Sequence, residues 1–200
     1  MNNNNITITG DNNDNITYAT ASGLRSAVSI YCTFETTYGG TNPWNPTPST
    51  QTYYTTGSGV IYKLESDGSA FIVTNYHVVY DSNSNTDNHI SDKIYIYLYG
   101  LESEAYAIPA TYVGGSANYD IAVLRVDKND ILLDAIETGA ATAVTVANSD
   151  ELTPGMTTIA IGNPCSSDAD LGGISVTKGI VSVDSEYITM SAIDNSGEVQ

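Results

Sequence analysis

From Ala27 to Phe34 the apolar side chains fall on every second residue, Val28, Ile30, Cys32 and Phe34. Only an extended strand with one buried face puts such residues on one side. The pattern recurs in short pieces along the chain, at Val60–Leu64, Ala70–Thr74, Lys93–Tyr99, Tyr106–Val113, Ile121–Val126, Thr157–Ile161, Ile174–Val183 and Glu186–Ser191. Turn residues separate the pieces. Asp67-Gly68 between two of them is a hairpin signal, because glycine accepts the positive φ that a tight turn requires. Leu-rich stripes at helical spacing are missing, and helix is expected only in short stretches around Tyr76–Tyr80 and Ser22–Ala27. Many short strands with turn punctuation predict an all-β fold, an antiparallel barrel or sandwich.

Other segments read as connections. Residues 1–20 are rich in Asn, Asp and Thr and are expected to form a flexible lead. Residues Gly39 to Tyr53 contain Asn42-Pro43-Trp44-Asn45-Pro46-Thr47-Pro48, which reads as a surface loop with Trp44 packed within it.

Charge narrows the range of partners. The chain has 23 acidic residues against 6 basic ones, a formal net charge of −17. Without a Lys/Arg cluster to neutralise phosphates, nucleic-acid binding is excluded. The same imbalance disfavours an anionic membrane surface. The acidity serves solubility or a preference for basic substrates, and composition leaves both open. No apolar run has the length of a membrane span. Cys32 and Cys165 are too few for a disulfide framework. Cys32 reads as a small buried hydrophobe and Cys165 as a loop residue; whether they pair stays open.

Two residues stand where chemistry could be done. His77 comes directly after the apolar strand Ala70–Thr74, so a rigid element would present it to a cleft. Imidazole titrates near neutrality and can take a proton and return it. Asp120 immediately precedes the strand Ile121–Val126, which puts its carboxylate at the edge of the core. A carboxylate there can fix one tautomer of a histidine and stabilise the imidazolium. Each residue alone reads as structural; the catalytic reading needs the two together.

The stretches that carry them add to this. Gly57-Ser58-Gly59-Val60-Ile61-Tyr62, a hairpin, Thr74-Asn75-Tyr76-His77-Val78-Val79 and Tyr119-Asp120-Ile121-Ala122-Val123-Leu124 follow in order. Ile159-Ala160-Ile161-Gly162-Asn163-Pro164 and Val176-Thr177-Lys178-Gly179-Ile180-Val181-Ser182 come after them. In this order, from about Ser22 to Ser182, the chain resembles the trypsin-like serine proteases of the HtrA (Deg) type. The resemblance implies two six-stranded antiparallel β-barrels with the active site between them. A first lobe would span residues 21–130 and a partial second lobe 131–200. It implies His77 as general base, Asp120 as its orienting partner, a protein or peptide substrate and no cofactor or metal. It also implies a location outside the cytoplasm or at the cell surface.

The nucleophile departs from the pattern. The family carries it in a Gly-Asn-Ser-Gly-Gly loop after the segment matching Thr177–Ser182, and that loop is not found before Gln200. The nearest imitation is Asp194-Asn195-Ser196-Gly197-Glu198, where Glu198 replaces a glycine. Ser196 reads as a turn serine, with a nucleophile role as the alternative. The second barrel is therefore expected to be incomplete in this chain, which alone would be inactive. The competing function is a protease-like binding module without activity. A β-sandwich adhesin fits the Thr, Asn and Tyr content but leaves the ordered motifs unexplained.

One more spacing is notable. Asp81, Asn83, Asn85, Asp87 and Asp92 occupy the first, third, fifth, seventh and twelfth places of a loop, as calcium ligands do in an EF-hand. Thr86 stands where the sharp-turn glycine belongs, and helical flanks are missing. The segment reads as a solvated polar loop with His89 exposed, and calcium stays open.

Overall fold

The computed structural model describes residues 15–40, 44, 47–164 and 173–183. Six strands close into an antiparallel barrel in the order β1-β2-β3-β6-β5-β4. They are β1 (Ala27–Tyr38), β2 (Ser49–Leu64), β3 (Ala70–Thr74), β4 (Lys93–Leu98), β5 (Ile108–Ser116) and β6 (Ile121–Val126). Closure comes from β1, which pairs with β2 along its length and with β4 through Val28–Thr33. A closed sheet leaves no unpaired edge, so the barrel is self-contained.

The alternation in β1 is the reason it can do this. Val28, Ile30, Cys32 and Phe34 are all buried and meet Ile61, Ile72, Ile96, Ile108 and Leu124 from the other strands in one core. Bulges in β2 between Ile61 and Lys63 and in β5 between Tyr112 and Gly114 bend the sheet toward closure. The β2–β3 hairpin turns where Asp67-Gly68 predicted it. Gly68 has φ of 83°, and a Cβ there would come within 2.5 Å of the Asn129 carbonyl oxygen. Asp67 Oδ1 accepts from the Ser69 N–H at 3.0 Å and hydroxyl at 2.7 Å, and these bonds hold its carboxyl below the usual range.

Among the described residues three α-helices accompany the strands: α1 (Asn15–Leu24), α2 (Tyr76–Val79) and α3 (Asp130–Glu137). The first begins earlier than expected, so residues 15–20 are helical rather than part of a flexible lead; residues 1–14 lie outside the described residues. The third was not foreseen. Asn129 caps it by accepting from Ile131 N–H at 2.9 Å and Leu132 N–H at 3.3 Å, and it buries Leu132 and Ala135 on the barrel. The proline-rich connection is shorter than expected, because β2 already runs from Ser49. Trp44 is 94% exposed.

Beyond the barrel, β7 (Thr157–Gly162) pairs antiparallel with β8 (Ser175–Ile180). Among the described residues the second lobe is this two-stranded sheet, not a closed barrel. The expected strand at Glu186–Ser191 lies outside the described residues, as do Cys165 and Ser196.

Cys32 is a free thiol in the core. Burial pushes it from 9.0 to about 12, partly offset by a bond with Thr55. The folded state therefore binds this proton more tightly than the unfolded chain does. Its contribution is intact below pH 9 and is lost as pH rises toward 12, at about 1.4 kcal/mol per pH unit. Urea melts at pH 8 and 10.5 should show that slope, and Cys32→Ala should be flatter by that amount. An equal slope in the two proteins would contradict the assignment.

Candidate active site

The barrel delivers His77 through one helical turn. Asn75 leaves β3 in extended conformation, with φ of −79° and ψ of 146°, and α2 follows at once. Val78 and Val79 are buried in the core and pin the turn. Thr55 Oγ1 donates to the Val78 carbonyl at 2.9 Å, and Ser91 N–H donates to that of Val79 at 2.9 Å. Val78 fits because Gly57 lies beneath it; a Cβ at Gly57 would come within 2.6 Å of Val78 Cγ2. The apolar half of α2 thus faces inward, and the His77 side chain remains 43% exposed.

Asp120 arrives from the opposite direction. It ends the turn from β5 to β6, its N–H donating to the Ala117 carbonyl at 3.1 Å. Its φ is 50°, in the left-handed region that Asp enters more readily than most residues because a short polar side chain bonds locally. Ala122 and Leu124 of β6 are fully buried and fix the register of this turn.

The two side chains meet. His77 Nδ1 lies 2.7 Å from Asp120 Oδ2, and the His77 backbone N–H donates to Oδ1 at 3.0 Å. An ionised carboxylate only accepts, so the imidazole carries its proton on Nδ1 and leaves Nε2 with a lone pair. Asn75 Nδ2 donates to Asp120 Oδ2 at 3.0 Å and to its carbonyl oxygen at 3.1 Å. The Asp120 side chain is 25% exposed; its bonds with His77 are partly buried, and those with Asn75 are exposed.

Asp120 and Asn75 also line an open cleft of about 290 Å³, with Ser58, Thr74, Ile121 and, from β7, Ile161. The cleft therefore lies where the barrel meets the second lobe. Ser58 joins the two parts. Asn163 N–H donates to Ser58 Oγ at 2.6 Å, while Thr74 Oγ1 donates to the Ser58 carbonyl at 2.7 Å. The sequence shows Ser58 between two glycines, and that spacing is the signal of close approach; its role in joining the lobes was not anticipated.

The loop after α2 is tied down by its own side chains. Asp81 is buried and its Oδ1 accepts from Asn83 N–H at 2.7 Å. Asn85 Oδ1 accepts from Thr37 N–H at 3.0 Å, and its Nδ2 donates to Thr37 Oγ1 at 2.9 Å. Among the described residues, no group of three or more His, Cys, Asp or Glu side chains gathers as a metal site. His89, expected to be exposed, is half-buried with its ring edge-on to Tyr80 at 6.0 Å.

The family model for the trypsin-like peptidase domain matches residues 57–199. The Do-like serine protease HtrA of Lactococcus lactis subsp. cremoris is 34% identical over 135 residues, covering 68% of this chain and 27% of that protein. Its counterpart in Bacillus subtilis is 33% identical over 135 residues, covering 68% of this chain and 24% of that protein. The chain thus spans about a quarter of the length of these relatives. Among solved structures, the HtrA-type protease AlgW with a decapeptide has a TM-score of 0.51 at 23% identity, covering 82% of this chain and 44% of that one. A variant of it, also with a decapeptide, gives 0.55 with the same identity and coverage.

Proposed function

This chain belongs to the trypsin-like peptidase family, of the HtrA (Deg) type, and on that premise we propose that it carries the general base and orienting acid of a serine endopeptidase. What supports the reading above all is the 2.7 Å contact between His77 Nδ1 and Asp120 Oδ2. With its proton held on that side, His77 Nε2 accepts the proton of a serine hydroxyl as the oxygen attacks a peptide carbonyl carbon. The protonated ring then donates to the departing amine nitrogen, leaving an ester between serine and substrate. Water loses a proton to Nε2 and attacks that ester, which releases the acid and restores the serine. Asp120 stays ionised throughout, keeping the ring in one tautomer and balancing the imidazolium.

The substrate in this reading is a peptide or unfolded protein segment, in line with the decapeptide of the AlgW structures. The first lobe is residues 21–130 and the second begins at 131. The family likeness supports a location outside the cytoplasm or at the cell surface; among the described residues no helix is long and apolar enough to cross a membrane.

The serine that His77 would activate is left unassigned within residues 1–200, which contain no Gly-x-Ser-Gly-Gly stretch. A fluorophosphonate applied to the protein in a length that includes such a stretch, followed by peptide mapping, tests the reading. The expected product is one modified serine in a Gly-x-Ser-Gly-Gly stretch. A label on Ser196 would move the nucleophile into this chain, and a protein that takes no label is a binding module rather than a peptidase.

A further inference from the structure

An asparagine at the position preceding a helix ordinarily uses its side-chain oxygen to accept from the second or third N–H of that helix. Asn75 precedes α2, yet its side chain makes no such bond. The acceptor for the His77 N–H, the second in α2, is Asp120 Oδ1 from another strand. Asn75 has turned its carboxamide the other way. Its Nδ2 lies 3.0 Å from Asp120 Oδ2 and 3.1 Å from the Asp120 carbonyl oxygen. A carboxamide nitrogen has two protons, enough for one bond to each acceptor.

The exchange has a geometric consequence. Asp120 sits at φ of 50°, where its carboxylate and its own carbonyl are both near Asn75. Bonding the two oxygens from one nitrogen closes a ring through the Asp120 side chain and limits its rotation. Without it, the carboxylate would be held, among the described residues, by His77 alone, the residue it has to orient. We infer that Asn75 is a positioning residue: its amide protons hold the Asp120 carboxylate so that the carboxylate can hold the ring of His77. The inference rests on the proposed pairing of His77 with Asp120, and it assigns the pair a third member that never touches substrate.

The ring nitrogens of His77 report on it directly. The chain has two histidines, so His89→Gln identifies their signals. In the unmodified protein, ¹⁵N spectra of the neutral ring should show the proton on Nδ1 of His77 and slow exchange of that proton with water. Asn75→Ala removes the donor, and Asn75→Asp keeps the shape but supplies no donor. In both, the ring should share its proton between Nδ1 and Nε2, with exchange faster by about tenfold, the loss expected for a bond to a charged group. The His89 signals should not move, which excludes general unfolding. If either variant keeps the ring spectrum and exchange rate of the unmodified protein, the inference is overturned. Asp120→Asn run alongside separates the two claims. A change there without one in the Asn75 variants removes only Asn75, whereas no change in any of them removes the pairing itself.

Discussion

In the proposed peptidase, Asp120→Asn is expected to lower the kcat/KM of peptide hydrolysis by roughly 10⁴-fold, with the barrel intact. The exchange preserves shape, and Asn tolerates the left-handed φ of 50° at least as well as Asp. What changes is the supply of acceptors. In the native arrangement two carboxylate oxygens receive the His77 N–H, the Asn75 amide and the His77 Nδ1–H. An asparagine has one oxygen and one amide group for the same three donors. With the amide directed at the ring, Nδ1 has to accept, and the imidazole proton moves to Nε2. That nitrogen can then no longer take a proton from the serine. The loss corresponds to about 5 kcal/mol of activation free energy, measured by steady-state kinetics on the protein in a length that includes its nucleophile. A variant within tenfold of the parent, with an unchanged melting curve, would mean that the carboxylate has no part in catalysis.

Phe34→Ala has the largest expected effect on stability, about 3–5 kcal/mol. The Phe34 side chain is almost wholly buried in β1 and stacks on Tyr53 of β2, ring centroids 5.6 Å apart at 15°. Truncation removes that area and leaves a cavity between two paired strands that cannot collapse freely. A domain is stable by only about 5–15 kcal/mol, so the shift is a large part of the total. The effect should spread toward the site. Thr36 Oγ1, two residues along β1, donates to the Asn83 carbonyl at 2.9 Å, and Thr37 holds Asn85. Those contacts anchor the loop that follows α2. Denaturant unfolding gives the magnitude, and faster amide exchange across 81–92 should accompany it. A loss under about 1 kcal/mol would show that β1 is not the member on which closure depends.

How much of this could be read beforehand differs by element. The strand β1 was legible because one face is fully buried and the other is not, so its side chains alternate in character. The β2–β3 hairpin was legible because Asp67-Gly68 is needed by the turn itself. His77 and Asp120 were legible as residues at the ends of apolar strands, and the order of motifs linked them. The front of β2 was not. Ser49, Thr50, Gln51 and Thr52 are all exposed, so no apolar alternation marks them as strand, and the prolines before them read as loop. The helix α3 could have been found from Asn129-Asp130 followed by Ile131, Leu132 and Leu133, a capping residue leading an apolar stretch. The strongly β pattern on either side masks that signal. Two features of the site have no sequence signature. The positive φ of Asp120 is imposed by a turn whose residues, Ala117 to Tyr119, do not demand it. The bond from Asn163 to Ser58 spans 105 positions, and only the packing of β7 on the barrel creates it.

The central claim is that His77 takes the proton from a serine nucleophile. It is tested most directly by the rate at which a fluorophosphonate labels the protein, in a length that includes that serine, with and without His77→Ala. Removing the base should slow labelling by at least about 10³-fold, with the melting temperature unchanged because the ring is partly exposed. Labelling of the same serine at the same rate in the two proteins would contradict the claim.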